Sequence, residues 1–471
     1  MLSPVTKEQQ NWTWYSMFSF WMTSVHSLAG YTVAASFFLY GLPAWEVFIS
    51  LLSGMMVMLL MSNLAGKPGQ RGGVPYCILC RQAFGIRGAI IPSIIRGITA
   101  FSWYRIQTYL VSNALLLSVL KIFPVLITYT KPHFLELSLL GWSCFLFIWL
   151  IQLILFQFGM DLIKKFIDFA GPAVYLVMFI LMLYIVSKAG FHNISFSAGS
   201  RHLSLQEQVI KIITGAAFLI SYFSSQILTF ADFSRYCRSY EKDLKRGNIL
   251  GLPVNYIVFA IICVTIVSGT QPLYGRLILE PVEMINEIDN TTAIIIGVMT
   301  MIIATVGVNI VANFVSSAFD LSNIKPDKIS FRMGGSIAAI GSVLILPWLL
   351  FNSPQTMSFT IGILSTFIAP LFGILVADFY HINKQQLNIT ELYNTESTGI
   401  YYFYHGFNLA AIISMVLVGC IDIIMATIPL FSKYSDFVCI LGMFLGGIVY
   451  LYLMKYITMF KYIKISEGKN A

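Results

Sequence analysis

What this sequence has least of is charge. Only 11% of its 471 residues are Asp, Glu, Lys or Arg, while 57% are hydrophobic; a soluble domain carries roughly 25% charged residues. Too little polar surface remains to coat a water-soluble globule, which excludes that class and places the chain in a bilayer. Metal-binding patterns are also missing. Cys77 and Cys80 have C-x-x-C spacing, but no second pair or histidine couple completes a four-ligand site, so no metal is expected. The other cysteines (144, 237, 263, 420 and 439) lie mostly in apolar segments and give no reason to expect disulfides. The glycine-rich "GKPGQRGG" (66–73) lacks Gly-Lys-Ser/Thr and forms no phosphate loop. No H-x-x-x-x-D or D-D-x-x-D occurs, which argues against a membrane-embedded acyl or prenyl transferase. The polar start "MLSPVTKEQQNW" lacks a secretory pattern, so the first apolar segment is expected to be a retained helix.

What is present is apolar length. A membrane-crossing helix needs about 20 mostly apolar residues. Twelve segments qualify, near 14–40, 44–64, 88–120, 137–158, 166–189, 208–230, 247–270, 291–319, 333–352, 357–379, 402–427 and 435–458. The expected class is therefore an all-α integral membrane protein with 12 transmembrane helices. Basic residues set its orientation. Lys67, Arg71, Arg81 and Arg87, then Arg235, Arg238, Lys242, Lys245 and Arg246, fall on one side. The opposite side has only scattered charges such as Lys131 and Arg276. Both termini are expected to be cytoplasmic, in a multi-pass protein of the plasma (inner) membrane. The +8 net charge then faces cytosol and anionic headgroups, with no call for nucleic acid.

Several of these segments are polar at mid-membrane. "SVHSLAGYT" (24–32) in segment one and "LISYFSSQILTF" (219–230) in segment six occupy matching places in two five-helix halves. Broken helices at such places line the substrate site of transporters built from inverted repeats, although small residues also serve close packing. Gly30 and Ser224–Ser225 are the expected flexing points. In segment three, Trp103 and Gln107 are four apart; in segment eight, so are Asn309 and Asn313. Each pair shares one helix face. An indole face stacks on a flat ring, and amides offer paired donors and acceptors to a ring's N–H and C=O edge. That combination suits a planar heterocycle; interhelical amide bonds within the bundle are the alternative.

The run "GQRGGVPYCILCRQAFGIRGAIIPSIIRGITAFSWYRIQTYL" (69–110) resembles the nucleobase:cation symporter-1 family, the cytosine, purine, uracil, allantoin and hydantoin permeases. The likeness continues through "ADFSRY" (231–236), "VNIVANFVSSAFDLSN" (308–323), "APLFGILVADFY" (369–380) and "YYFYHGFNLAA" (401–411). It implies the leucine-transporter-type fold: helices 1–5 in residues 1–190, their inverted repeat, helices 6–10, in 191–400, and helices 11–12 with a cytoplasmic tail in 401–471. It also implies import of a planar heterocycle by alternating access, with the bundle of helices one, two, six and seven moving against helices three, four, eight and nine. An amino-acid transporter of the same fold is the alternative.

Carried over residue by residue, the resemblance places the stacking indole at Trp103 and its amide at Gln107. The second aromatic falls on Phe223, counted back from Asp232, where allantoin and hydantoin members have Trp; Tyr222 stands beside it. The heterocycle-binding asparagine is Asn313, with Asn309 one turn earlier, and the segment-one contact is Ser27, with Tyr31 and Thr32 following. Two departures stand out. Arg105 replaces the family's glycine, either as an anion contact or as a helix tie to a carbonyl or carboxylate. The two hydroxyls of the family's sodium site fall on Gly307 and Val308, which carry none, and its backbone positions fall on Thr23, His26 and Ala304. Sodium coupling is therefore not expected. No cofactor is expected beyond a coupling proton, for which His26 is a candidate, a structural hydrogen bond across the break being the alternative and favoured reading of that residue. Asp232 and Asp320 read as caps or gate pairs. The partners are the small heterocycle and the bilayer, with the protein a monomer or weak oligomer.

Overall fold

The computed structural model describes residues 2–135, 137–197, 202–238, 241–288, 290–343 and 354–467. Part of the expected span 333–352 lies outside the described residues. Helix α1 (Trp14–Val25) ends at His26, and α2 (Leu28–Ser36) restarts beneath a new cap, Ser27 Oγ accepting the Gly30 amide at 2.9 Å. The stretch 14–40 is thus two short helices around a break at His26–Ser27, ahead of Gly30. Gly30 serves the overlap of the two ends: a Cβ there would lie 2.6 Å from the Val25 carbonyl oxygen.

Four long helices and the short α4 complete the first half: α3 (Ala44–Gly72), α4 (Tyr76–Phe84), α5 (Ile90–Ile122), α6 (Leu139–Gln157) and α7 (Met160–Ala189). A two-stranded antiparallel hairpin, β1 (Pro132–Phe134) and β2 (Leu137–Ser138), precedes α6. The second half begins with α8 (Leu205–Leu228), opened by a Ser204–Glu207 capping box, and the single turn α9 (Ala231–Ser234). Then come α10 (Glu241–Ile249), α11 (Asn255–Tyr274), α12 (Pro281–Asn286), α13 (Thr291–Asn309) and α14 (Ser316–Ile324). A π-helical turn, Ile310–Val315, joins α13 to α14. The chain ends with α15 (Phe331–Val343), α16 (Pro354–Ser365), α17 (Ile368–Ala377), α18 (Leu409–Thr427) and α19 (Val438–Glu467).

Among the described residues, nine helices or near-continuous helix pairs are long and apolar enough to cross a membrane. Large apolar side chains such as Leu60, Leu176 and Phe444 stay more than half exposed, as a lipid-facing surface requires. The 33-residue α5 is long enough but unusually polar, because it buries Arg96 and Arg105.

The break in segment six is displaced from Ser224–Ser225. Helix α8 runs through both serines and lets go at Thr229–Phe230. Ser221 Oγ donates to Ala217 O at 3.1 Å, Ser224 Oγ to Ser221 O at 2.7 Å and Thr229 Oγ1 to Ser225 O at 3.2 Å. Hydroxyls folded back on the preceding turn use their own helix as acceptor and leave it unbroken.

Two packed groups result. Helices α5, α6, α13, α14 and α15 contact one another; α1, α3, α8, α10 and α11 form the other group. Buried amides tie the second: Trp21 Nε1 donates to Asn248 Oδ1 at 2.8 Å, and Asn248 Nδ2 to Asn63 Oδ1 at 2.9 Å. In the C-terminal part, α17 lies against α19 through small residues, where a Cβ at Gly373 would come 1.9 Å from the Met443 carbonyl oxygen. Lipid tails give apolar helices no reason to pair, so such backbone approach is what holds them. Gly373→Ala should therefore lower the thermal unfolding midpoint of the detergent-purified protein, at an overpacking cost of about 1–3 kcal/mol. Gly362→Ala, whose Cβ would meet nothing within 4 Å, should leave the midpoint unchanged or slightly raised.

Candidate substrate cavity

Between the two packed groups lies a small cavity, lined by α1, α5, α8, α13 and the π turn. Trp103 and Gln107 reach it from α5, Tyr222 and Phe223 from α8, and Asn313 from the π turn. Residues expected from three separate segments are therefore brought to one place. Tyr222 meets both neighbouring rings edge to face, with centroids 5.2 Å from Trp103 and 4.7 Å from Phe223. Its hydroxyl lies 3.3 Å from Ser27 Oγ. All five side chains are buried, and Gln107 Oε1 has no hydrogen-bond partner.

The π turn explains how Asn313 is presented. A π turn is a frequent device at functional sites, because it inserts a residue and re-aims the side chains after it. Asn313 Nδ2 donates to Asn309 Oδ1 at 2.8 Å, which fixes the amide's orientation. Asn309 itself faces the other way. Its Nδ2 donates to Tyr104 O at 2.8 Å, Thr108 Oγ1 at 3.1 Å and Gln152 Oε1 at 2.8 Å, locking α13 to α5 and α6. It lies behind the lining and supports Asn313. Ser27 likewise sits one contact back, with its hydroxyl engaged in capping α2.

Three lining residues were not singled out from sequence, Ser24, Gln226 and Ala312, and Ser225 was expected as a flexing point, not as lining. Gln226 lies one turn after Tyr222, a spacing that places both on the same face. Its Nε2 donates to Ser24 Oγ at 2.5 Å, bridging α8 to α1 directly above the break. Ser225 Oγ is buried without a partner.

The remaining positions fall elsewhere. Arg105 is fully buried, outside the lining, and donates through Nε to the Ser342 carbonyl of α15; of its two readings, the geometry is that of the carbonyl tie. The His26 ring packs 3.8 Å from Tyr175 and 4.9 Å from Phe259. Thr23 donates to Ile167 O at 3.2 Å. At Gly307 a Cβ would lie 2.8 Å from Thr23 Cγ2, so α13 and α1 meet there through carbon. Val308 faces the cavity. Ala304, also buried, lies one turn before Val308 on the same helix. Cys77 and Cys80 are free and buried on α4, and no group of three metal-ligating side chains occurs among the described residues.

Comparison with known proteins agrees with this architecture. Residues 4–452 match the family model of permeases for cytosine/purines, uracil, thiamine and allantoin. An allantoin permease of Bacillus subtilis is 30% identical, over 96% of this chain and 92% of its own length. A purine-uracil permease of Arabidopsis thaliana is 31% identical, over 92% of this chain and 73% of its own. Among solved structures, Mhp1, a nucleobase-cation-symport-1 family transporter, in a closed conformation with bromovinylhydantoin bound, superposes with a TM-score of 0.78. The superposition covers 97% of this chain and 95% of that one at 18% identity. The family match spans both packed groups and every element that lines the cavity, and on that ground the chain belongs to the nucleobase:cation symporter-1 permeases and is a multi-pass membrane transporter.

Proposed function

We propose that this transporter imports a planar nitrogen heterocycle of the nucleobase, allantoin or hydantoin type by alternating access, in the plasma membrane, with both termini cytoplasmic. One observation carries the reading: a cavity where an indole, two further rings and three primary amides converge, with one amide oxygen left unpartnered. The Trp103 indole offers a face for stacking. Gln107 Oε1 accepts a ring N–H, and the Asn313 amide, aimed by Asn309, reads the opposite edge. Phe223 supplies a second apolar wall, without the N–H donor of an indole. Tyr222, in contact with Trp103 and Phe223, swings aside or slides to admit the ring. The named activities of the relatives support this substrate class.

Import runs from the side opposite the basic loops, by the rule that cytoplasmic loops hold the excess of Lys and Arg. The packed group of α1, α3, α8, α10 and α11 moves against that of α5, α6, α13, α14 and α15. Transport is independent of sodium. Supporting this, Gly307 and Val308 offer no side-chain oxygen, Gly307 abuts the Thr23 methyl, and sodium is a hard cation that needs several oxygen ligands.

Intrinsic fluorescence tests the site. Hydantoin, allantoin, uracil, cytosine, purines and amino acids are titrated against purified protein. At least one heterocycle should quench the fluorescence and no amino acid should. Trp103→Ala should weaken that ligand about ten- to a hundredfold, the 1–3 kcal/mol typical of base–aromatic stacking, with Trp103→Phe intermediate. Quenching by amino acids alone would overturn the assignment. Uptake into proteoliposomes should be unchanged when choline replaces sodium; a collapse of uptake in choline would show a sodium site these residues do not suggest.

A further inference from the structure

Three side-chain amides line the cavity from three elements: Gln107 on α5, Gln226 on α8 and Asn313 on the π turn. The oxygen of a carboxamide accepts hydrogen bonds and its nitrogen donates them, so the end turned to the void decides what the wall can read. For two of the three amides the surrounding groups leave no choice.

Asn313 is pinned through Asn309. The Tyr104 carbonyl has no hydrogen to give, so Asn309 must meet it with nitrogen, and does so at 2.8 Å. Asn309 Oδ1 is thereby turned to its neighbour, which must answer with a donor: Asn313 Nδ2 donates to it at 2.8 Å. Gln226 is pinned through Ser24. The Ser24 hydroxyl gives its one hydrogen to the Phe20 carbonyl at 2.7 Å, so it can only accept, and Gln226 Nε2 donates to it at 2.5 Å. Reversing either amide would set oxygen against oxygen. Gln107 follows the same pattern, with its nitrogen at the Tyr222 hydroxyl and its Oε1 without a partner.

Each amide therefore spends its nitrogen on the protein and leaves its oxygen for the void. Among the described residues, no hydrogen bond reaches Asn313 Oδ1 or Gln226 Oε1. Each of the three oxygens keeps both lone pairs, while each nitrogen keeps at most one hydrogen. The Ser225 hydroxyl, buried without a partner, is left to meet a ring carbonyl. Among the described residues, no Asp, Glu, Lys, Arg or His lines the cavity, so a charged ring would lose its water and find no counter-charge.

We propose that the cavity selects its ligand by N–H hydrogens. The ligand is a neutral heterocycle carrying an exocyclic amino or ureido group besides its ring N–H, preferred over one whose edge is carbonyl or ionised. Gln226 is the specificity-determining residue that this geometry adds to Gln107 and Asn313, and Ser24 is the residue that positions it. The proposal rests on the heterocycle-import reading above and narrows it. An N–H placed against one of these oxygens satisfies an acceptor already cut off from water. A carbonyl placed there leaves two acceptors unmet, and a buried polar group left unpaired is what lets a hydrogen-bonding site reject a near-isostere.

The test is tryptophan quenching of purified full-length protein by matched ligands. Cytosine carries an amino group where uracil carries a carbonyl, and allantoin is hydantoin with a ureido arm. The amino or ureido member of each pair should bind about tenfold tighter or more, the scale of leaving a buried acceptor unmet. N-methylation of the tighter ligands should weaken them by a similar factor, and orotate, a carboxylate of uracil, should not compete. Ser24→Ala frees the Gln226 nitrogen to turn, and should shrink the larger ratio several-fold by strengthening the carbonyl member. Gln226→Leu should shrink it by weakening the amino or ureido member. Lost packing alone would weaken both members equally, and a ratio unchanged in both variants would overturn the roles given to Ser24 and Gln226. In the wild-type protein, equal affinities within both pairs, or orotate binding tighter than uracil, would overturn the proposal and leave heterocycle import standing. Quenching by no heterocycle at all would overturn both.

Discussion

A helix that lets go of its own backbone in a dry interior must hand the released groups to something else, and this molecule is organised around those handovers. Helix one lets go at His26–Ser27, helix six at Thr229–Phe230, and helix eight widens into a π turn at Ile310–Val315. Each release has a named partner: Ser27 takes the Gly30 amide, Thr229 bonds back to Ser225 while meeting Ser316, and Arg96 holds the Ala312 carbonyl. Irregular backbone is tolerated at membrane depth only where protein encloses it. The enclosure that repairs the breaks is also what makes the cavity.

The same accounting separates structural amides from available ones. Asn309 spends its donors on Tyr104, Thr108 and Gln152 and its acceptor on Asn313, so nothing remains for a ligand. Gln107 retains an empty acceptor in a buried wall. An unmet acceptor there is costly, and a bound ring N–H would remove the cost. Asn309 and Gln107 thus end in different employment, because one faces packed helices and the other a void.

Much of this was legible from residue pattern. Long apolar runs locate the spans, and period-four polar pairs place Trp103, Gln107 and Asn313 on faces that do converge. The break in helix six was not legible at its true position. Serine and glutamine in mid-membrane read as weakness, yet Ser221 and Ser224 fold onto their own helix and the ladder survives to Leu228. The bridge from Gln226 to Ser24 joins residues 202 positions apart, which no periodicity reveals. The place of Val308 on the cavity wall, and the contact that replaces a hydroxyl at Gly307, depend equally on which helix lies opposite. Local pattern states what a side chain can do; the neighbour across the interface decides what it does.

The arrangement also constrains how the cavity and the buried charged cluster of Arg96, Asp232 and Asp320 communicate. Sites a few turns apart on three separate elements cannot be linked by propagated helix motion alone, since packed interiors resist continuous deformation. A discrete exchange is needed, and Arg96 is placed to make one. Its guanidinium offers five donors in a rigid fork, of which one nitrogen is committed to Ala312 while Nε and Nη1 have no hydrogen-bond partner. Whether the carbonyl or a carboxylate holds the fork depends on the charge beside it. The carbonyl belongs to the turn that aims Asn313 into the cavity. A change of one charge in the cluster would therefore act on the turn that lines the cavity, and by the reciprocity of binding linkage a ligand there would act on that charge.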